Sequence, residues 1–279
     1  MTKEEINEFI EDRFKKINKH FRKAIDNFEA EDIRKFRTEI KKLKVFLHLL
    51  NMESEDGLSY RITNRMKTIY GYFGIVQNFQ LQLKVTNDYI KNNLNSVPLM
   101  YLNNIEKELE YWEKHSQDFI DKDSDFFNDE KEIVATLPDK LSKESIKKFI
   151  HYTLYELQMI SGRSDDAALE SIRKFLEDIF YNLAYIKPFF TDQRYNQFDE
   201  KIISECLELF EKFRNKNIVI VNLRNCNWDS FDEHEKQLLL QMESNYLHEK
   251  KELTKELISR LDAIHIKADN LGEFAIALS

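Results

Sequence analysis

Residues 32–50 read "DIRKFRTEIKKLKVFLHLL", and seven of them are Arg, Lys or His in a chain whose net charge is -8. On a helical wheel, at about 100° per residue, Ile33, Phe36, Ile40, Leu43, Leu47 and Leu50 share one face, which is a core face. Arg34, Arg37, Lys41, Lys44 and His48 fall on a second stripe about 80° wide beside that face. No acid occupies the stripe, and Glu39 points elsewhere. A solvated helix surface interleaves signs, because oppositely charged i,i+4 neighbours stabilise by about 0.2–0.5 kcal/mol and like charges repel by as much. Five successive cations need an offset. Either acids on another helix supply it, or an anionic ligand does, and the pattern alone leaves both open.

Outward from this segment, apolar residues recur at spacings of three and four almost throughout. The spacing predicts helices near 3–28, 31–51, 58–93, 98–120, 142–161, 165–187, 193–214 and 231–268. Only 5 Gly and 3 Pro occur in 279 residues, against roughly 20 and 14 for average usage. Few turns and long helices follow. Pro98 and Pro138 interrupt the pattern, Pro188 follows a helical run, and Ser142 is placed to cap the fifth helix. The segment 215–228, "NKNIVIVNLRNCNW", is ambiguous; its apolar run suits a strand, but it has no other strand to pair with. The acidic stretch 121–132, "DKDSDFFNDEKE", divides the chain. The expected organisation is a first helical half (1–120), an acidic connection (121–141) and a second helical half (142–279), packed as one all-α unit.

The third helix repeats the charge pattern weakly. Ile62, Met66, Ile69 and Phe73 make its apolar face, and Arg61, Arg65, Thr68 and Tyr72 an adjacent stripe of donors. If the second and third helices are antiparallel neighbours, the two stripes face one cleft. Converging cations suit a multiply charged anion such as a phosphate; Arg offers planar bidentate contacts and Lys a point charge.

The basic helix resembles the signature of the CHAD family, the conserved-histidine α-helical domain, which reads His-x-x-Arg-x-x-x-basic-basic-x-basic. Arg34, Arg37, Lys41, Lys42 and Lys44 stand at those places, with Arg34 where the histidine belongs. The resemblance implies two repeated helical halves, binding of inorganic polyphosphate or another phosphorylated polyanion, and no catalysis. The contacts it implies are Arg34, Arg37, Lys41, Lys42 and Lys44, with Arg173 in the second half; the stripes on the second and third helices add His48, Arg61 and Arg65 as candidates. Two departures stand out. The family's Gly-x-x-Arg-Asp is matched here by Gly74-Ile-Val-Gln77-Asn78. In the second half, "LESIRKFLEDIFYNL" keeps Arg173 but places Glu170, Glu177, Asp178 and Phe180 where the signature has histidine and bases. Those acids either repel the ligand or neutralise the first half's stripe. The alternative reading is therefore a relative that has lost the ligand and serves as a protein-interaction scaffold.

Other motifs carry less. Asp121, Asp123, Asp125, Asp129 and Glu132 follow calcium-loop spacing, but Phe126 stands where the loop needs Gly, which favours a chance match. None of the seven histidines belongs to HExxH or to a Glu-x-x-His motif, so no metal or cofactor is expected. Cys206 and Cys226 make no disulfide framework. No phosphate loop or nucleophile elbow occurs. The net acidity argues against general nucleic-acid binding. No apolar run reaches 18 residues and the charged N-terminus is unlike a signal peptide, so the expectation is a cytoplasmic protein without a membrane partner. The heptad-like helix at 231–262 either packs on its own bundle or mediates self-association.

Overall fold

The computed structural model describes residues 1–54, 59–93, 96–122, 128–160, 162–189 and 200–263. The described residues form α-helices and two short 3-10 turns, with one isolated bridge, Thr2 to Lys140, and no named strand. The helices are α1 Lys3–Asn27, α2 Ala30–Leu50, α3 Asn64–Asn93, α4 Leu99–Lys122, α5 Asn128–Thr136, α6 Lys143–Ile160, α7 Asp166–Ile186, α8 Glu200–Asn225 and α9 Glu233–Ala263. None is long and apolar enough to cross a membrane.

Local chemistry explains where helices start and stop. Thr2 and Glu5 form a reciprocal capping box at α1, each side chain accepting from the other's backbone N–H. Ser142 accepts from Ser145 N at 3.1 Å, as its position predicts, and Asp165 accepts from Ala168 N at 3.1 Å. Phe28 closes α1 in the left-handed region at φ 52°. That conformation is costly for a non-Gly residue. Tertiary contacts hold it: its ring meets Phe73 edge-on at 5.9 Å, and its carbonyl accepts from Gln80 Nε2 at 2.6 Å.

Sequential helices pair as hairpins, α1 with α2, α3 with α4, α6 with α7 and α8 with α9. Between hairpins, α2 packs on α3 and α7, and α8 packs on α7 and α3. The helix that carries the basic stripe is thus surrounded, and this accounts for the breadth of its buried surface. Phe36, Ile40, Leu43, Phe46, Leu47, Leu49 and Leu50 are all essentially inaccessible. They join Ile6, Ile10, Phe14, Ile17 and Phe21 of α1 and Leu169, Ile172, Leu176 and Ile179 of α7 in the main core. Where α2 crosses α7, buried Asn182 donates to the carbonyl of Val45 at 3.2 Å.

Three segments differ from the expectation. Residues 215–225 continue α8, because Val219, Ile220 and Leu223 are buried in a second apolar cluster with Tyr89, Tyr101, Met242 and Tyr246. Val221 stays exposed, so the β-branched run "IVIV" is split between faces as a helix splits it. The connecting stretch contains a helix, α5, whose Ile133 enters the main core beside α1. Helix α3 begins at Asn64, later than the spacing suggests, with Tyr60 and Ile62 buried ahead of it. The calcium-loop positions 123 and 125 lie outside the described residues. Among those described, no group of three or more metal-ligating side chains converges.

Candidate anion site

A cleft runs along α2 between α3, α7 and α8. Its part nearer the start of α2 is bordered by Arg34, Thr38, Gln77 and Asn78, and by α8 residues including Glu208 and Glu211. The part nearer the end of α2 is bordered by Lys44, His48, Tyr70, Glu170, Lys174 and Asp178. Arg37, Lys41, Arg173, Glu177 and Arg214 line both parts and form a waist of four cations and one carboxylate.

The cations fall into two groups by what they touch. Lys41 Nζ donates to Glu177 Oε1 at 2.8 Å. Arg173 is clamped between Glu170, with Nε–Oε2 at 2.9 Å and a second bond at 2.6 Å, and Glu177 on the following turn. His48 Nδ1 lies 3.1 Å from Asp178. Burial works against the charge of Arg173, but the two carboxylates outweigh it and raise its pKa. Burial likewise opposes the charge of Glu170, and the Arg173 contacts still hold its carboxyl below the usual range. Burial, helped by Glu177, pushes Tyr181 on the cleft wall up to about 12.

Arg37 is held differently. It is only 9% exposed, yet no carboxylate partners it among the described residues. One terminal nitrogen donates to Gln77 Oε1, the guanidinium carbon sits 4.6 Å from the centre of the Tyr70 ring, and Nε is buried without a hydrogen-bond partner. Burial, with the positive charge of Arg214 nearby, lowers its pKa; a guanidinium starts so high that it remains charged at neutral pH. Gly74 makes room for it, since a Cβ there would come within 2.9 Å of an Arg37 nitrogen and 3.1 Å of its central carbon. The segment "GIVQN" thus still serves the basic helix, with Gly74 as the cradle and Gln77 as the acceptor. Lys44 lies 5.5 Å from the Tyr70 ring. Lys44, Lys174 and Arg214 form no ion pair with a carboxylate among the described residues, although the charges of Arg214 and Lys174 both act on Glu170.

Of the residues singled out in the sequence, Arg34, Arg37, Lys41, Lys44, His48 and Arg173 border the cleft. Arg34 is largely exposed and is paired with Glu31 on its own helix, at 2.8 Å. Lys42 lies off the stripe on the wheel, on the flank where Glu39 sits, and pairs there with Glu39 at 2.8 Å, which also takes Arg13. Arg61 and Arg65 do not border the cleft. Arg61 bonds Ser59, and their stripe-mate Tyr72 packs against Trp112, His115 and Phe119 of α4. The α3 flank that meets the cleft is the opposite one, bearing Tyr70, Gln77, Asn78 and Leu81. Arg214 is not among the contacts the sequence suggests, since it stands at the last position of the helix expected at 193–214. Its signal was the pair Arg214-Asn215, which borders the cleft from α8 as Gln77-Asn78 does from α3.

No family model matches the sequence, and no curated protein matches it. A solved structure does: the CHAD domain from the plant Ricinus communis superposes with a TM-score of 0.61 at 12% identity. The match covers 98% of this chain and 92% of that one. At such low identity the likeness is one of architecture, and it spans the whole helical arrangement around the cleft. The chain has a divergent CHAD fold.

Proposed function

We propose that the cleft binds inorganic polyphosphate or another phosphorylated polyanion, without catalysing its reaction. The supporting observation is Arg37. A buried cation with no anion costs several kcal/mol unless something compensates it, and one amide oxygen and an aromatic face offset only part of that. An anion in the waist would complete Arg37 and meet Arg214, Lys44 and Lys174 as well. The arrangement fits a ligand held by charge and hydrogen bonding in a preformed groove, and the binding of a polymer there releases counterions.

The second reading, a scaffold whose basic stripe is neutralised internally, draws on the Lys41–Glu177, Arg173–Glu170 and His48–Asp178 pairs. Those pairs account for Lys41, Arg173 and His48 but leave the charge of Arg37 uncompensated. Calorimetric titration of long-chain polyphosphate separates the readings. The first predicts binding that weakens steeply between about 50 and 200 mM salt and is abolished by Arg37→Glu with Arg214→Glu. Absence of binding by the folded wild-type chain in roughly 50 mM salt overturns it.

A further inference from the structure

We propose that the cleft takes the end of a phosphate chain and not its middle. The proposal rests on the polyanion reading above and adds a direction to it. The two mouths of the cleft differ in which charges are left without a paired partner, carboxylates at one and lysines at the other. Beyond the waist toward the start of α2, the wall carries Glu208 and Glu211 from successive turns of α8. Both are exposed, and neither has a hydrogen-bond or ion-pair partner among the described residues. The cation at that mouth, Arg34, is paired with Glu31 and also feels the charge of Glu211. Toward the end of α2, the wall carries Lys44 and Lys174, and the acids there are engaged, Asp178 by His48 and Glu170 by Arg173.

A phosphate chain threaded through the whole cleft would place successive anions against two exposed carboxylates, Glu208 without a paired cation and Glu211 sharing the charge of Arg34 with Glu31. Like charges brought together at a binding surface act as a specificity barrier. A chain that enters past Lys44 and Lys174 and stops at the waist avoids them. The waist suits a terminus on chemical grounds too. A terminal phosphate carries about 1.5–2 negative charges near neutral pH, its second pKa being about 6, whereas an internal phosphate of a chain carries one. Arg37 and Arg214 are two planar donors in no ion pair among the described residues, and a terminal group offers three oxygens to share between them.

Two ligands of similar charge test this: linear tripolyphosphate, and cyclic tetrametaphosphate, which has no ends. The linear ligand should bind roughly tenfold tighter or better, a difference of about 1.4 kcal/mol. On long-chain polyphosphate, no more than two protein molecules should bind per chain, whatever its length. Equal affinity for the two small ligands, or a stoichiometry that grows with chain length, overturns chain-end capture while leaving the polyanion reading intact. Failure of all three ligands to bind overturns both. The double variant Glu208→Gln/Glu211→Gln, at exposed positions, should let long chains thread and raise the number of proteins per chain above two. An unchanged stoichiometry in that variant overturns the role given to the two carboxylates.

Discussion

Arg37 on α2 and Arg173 on α7 stand across one cleft at similar burial, and they are held in opposite ways. Arg173 has two carboxylates on its own helix, one turn before and one turn after, and its charge is fully answered within the fold. Arg37 has an amide, an aromatic ring and a glycine. The same residue type therefore does two jobs. Arg173 is a structural fastening that ties the acids of α7 into the wall, and through Glu177 it also fixes Lys41 of α2. Arg37 is a buried charge that no carboxylate answers among the described residues. The contrast shows why counting cations in a cleft says little: what matters is which of them already has an anion.

Replacing each arginine by methionine breaks this comparison most sharply. Arg173→Met removes the partner of two carboxylates, one of them largely buried. It should lower stability by about 2–3 kcal/mol, a fall in Tm of roughly 3–5 °C for a chain of this length. Arg37→Met exchanges an uncompensated charge for a side chain of similar length at the edge of the core. It should leave stability within about 1 kcal/mol of wild type and abolish polyphosphate binding. Thermal melts of the two variants, followed by titration, check this. If Arg37→Met melts as low as Arg173→Met, then Arg37 too is a fastening.

Gly74→Ala sharpens the comparison, because it moves Arg37 without removing it. The new Cβ would meet the far end of a side chain, which can shift, and Ala improves the helix by about 1 kcal/mol. The melt should therefore be unchanged or higher, while affinity for polyphosphate falls roughly tenfold, as expected from one misplaced charged hydrogen bond. A variant that loses stability but keeps affinity would show that Gly74 serves helix packing alone.

The two walls were also unequally legible in the sequence. The core face and the basic flank of α2 follow from residue spacing, since a helix packed on three sides keeps its period whichever neighbours surround it. Glu170 and Glu177 are visible as acids in the second signature, although only the folded pairing shows that they bracket Arg173. Handedness is what spacing does not carry. An apolar face has two flanks, and on α3 the donors Arg61 and Arg65 share the flank that Tyr72 presents to α4, while the cleft takes Tyr70, Gln77 and Asn78. Arg214 was hidden for a different reason. The β-branched residues after it obscured the continuation of α8, which the second apolar cluster stabilises through Val219 and Leu223 from far along the chain.

The smallest effect concerns pH and belongs to α7 alone. The carboxyl of Glu170 lies below its ordinary value in the folded chain, because Arg173 outweighs the opposing effect of burial. Its contribution to stability is therefore fully present above the unfolded value near 4.5 and disappears as the pH falls through the lower folded value. Arg37 adds no such dependence, for it stays charged throughout that range. Between neutral pH and pH values below the carboxylate range, the urea midpoint of wild type should fall further than that of Glu170→Gln. The difference should be about 0.5 kcal/mol, small because Glu170 is 42% exposed and solvent screens its pair. Equal falls would mean that Glu177 alone neutralises Arg173. In that case Glu170, free to face an incoming phosphate, would be a barrier to the ligand at the very mouth where Lys44 and Lys174 invite it.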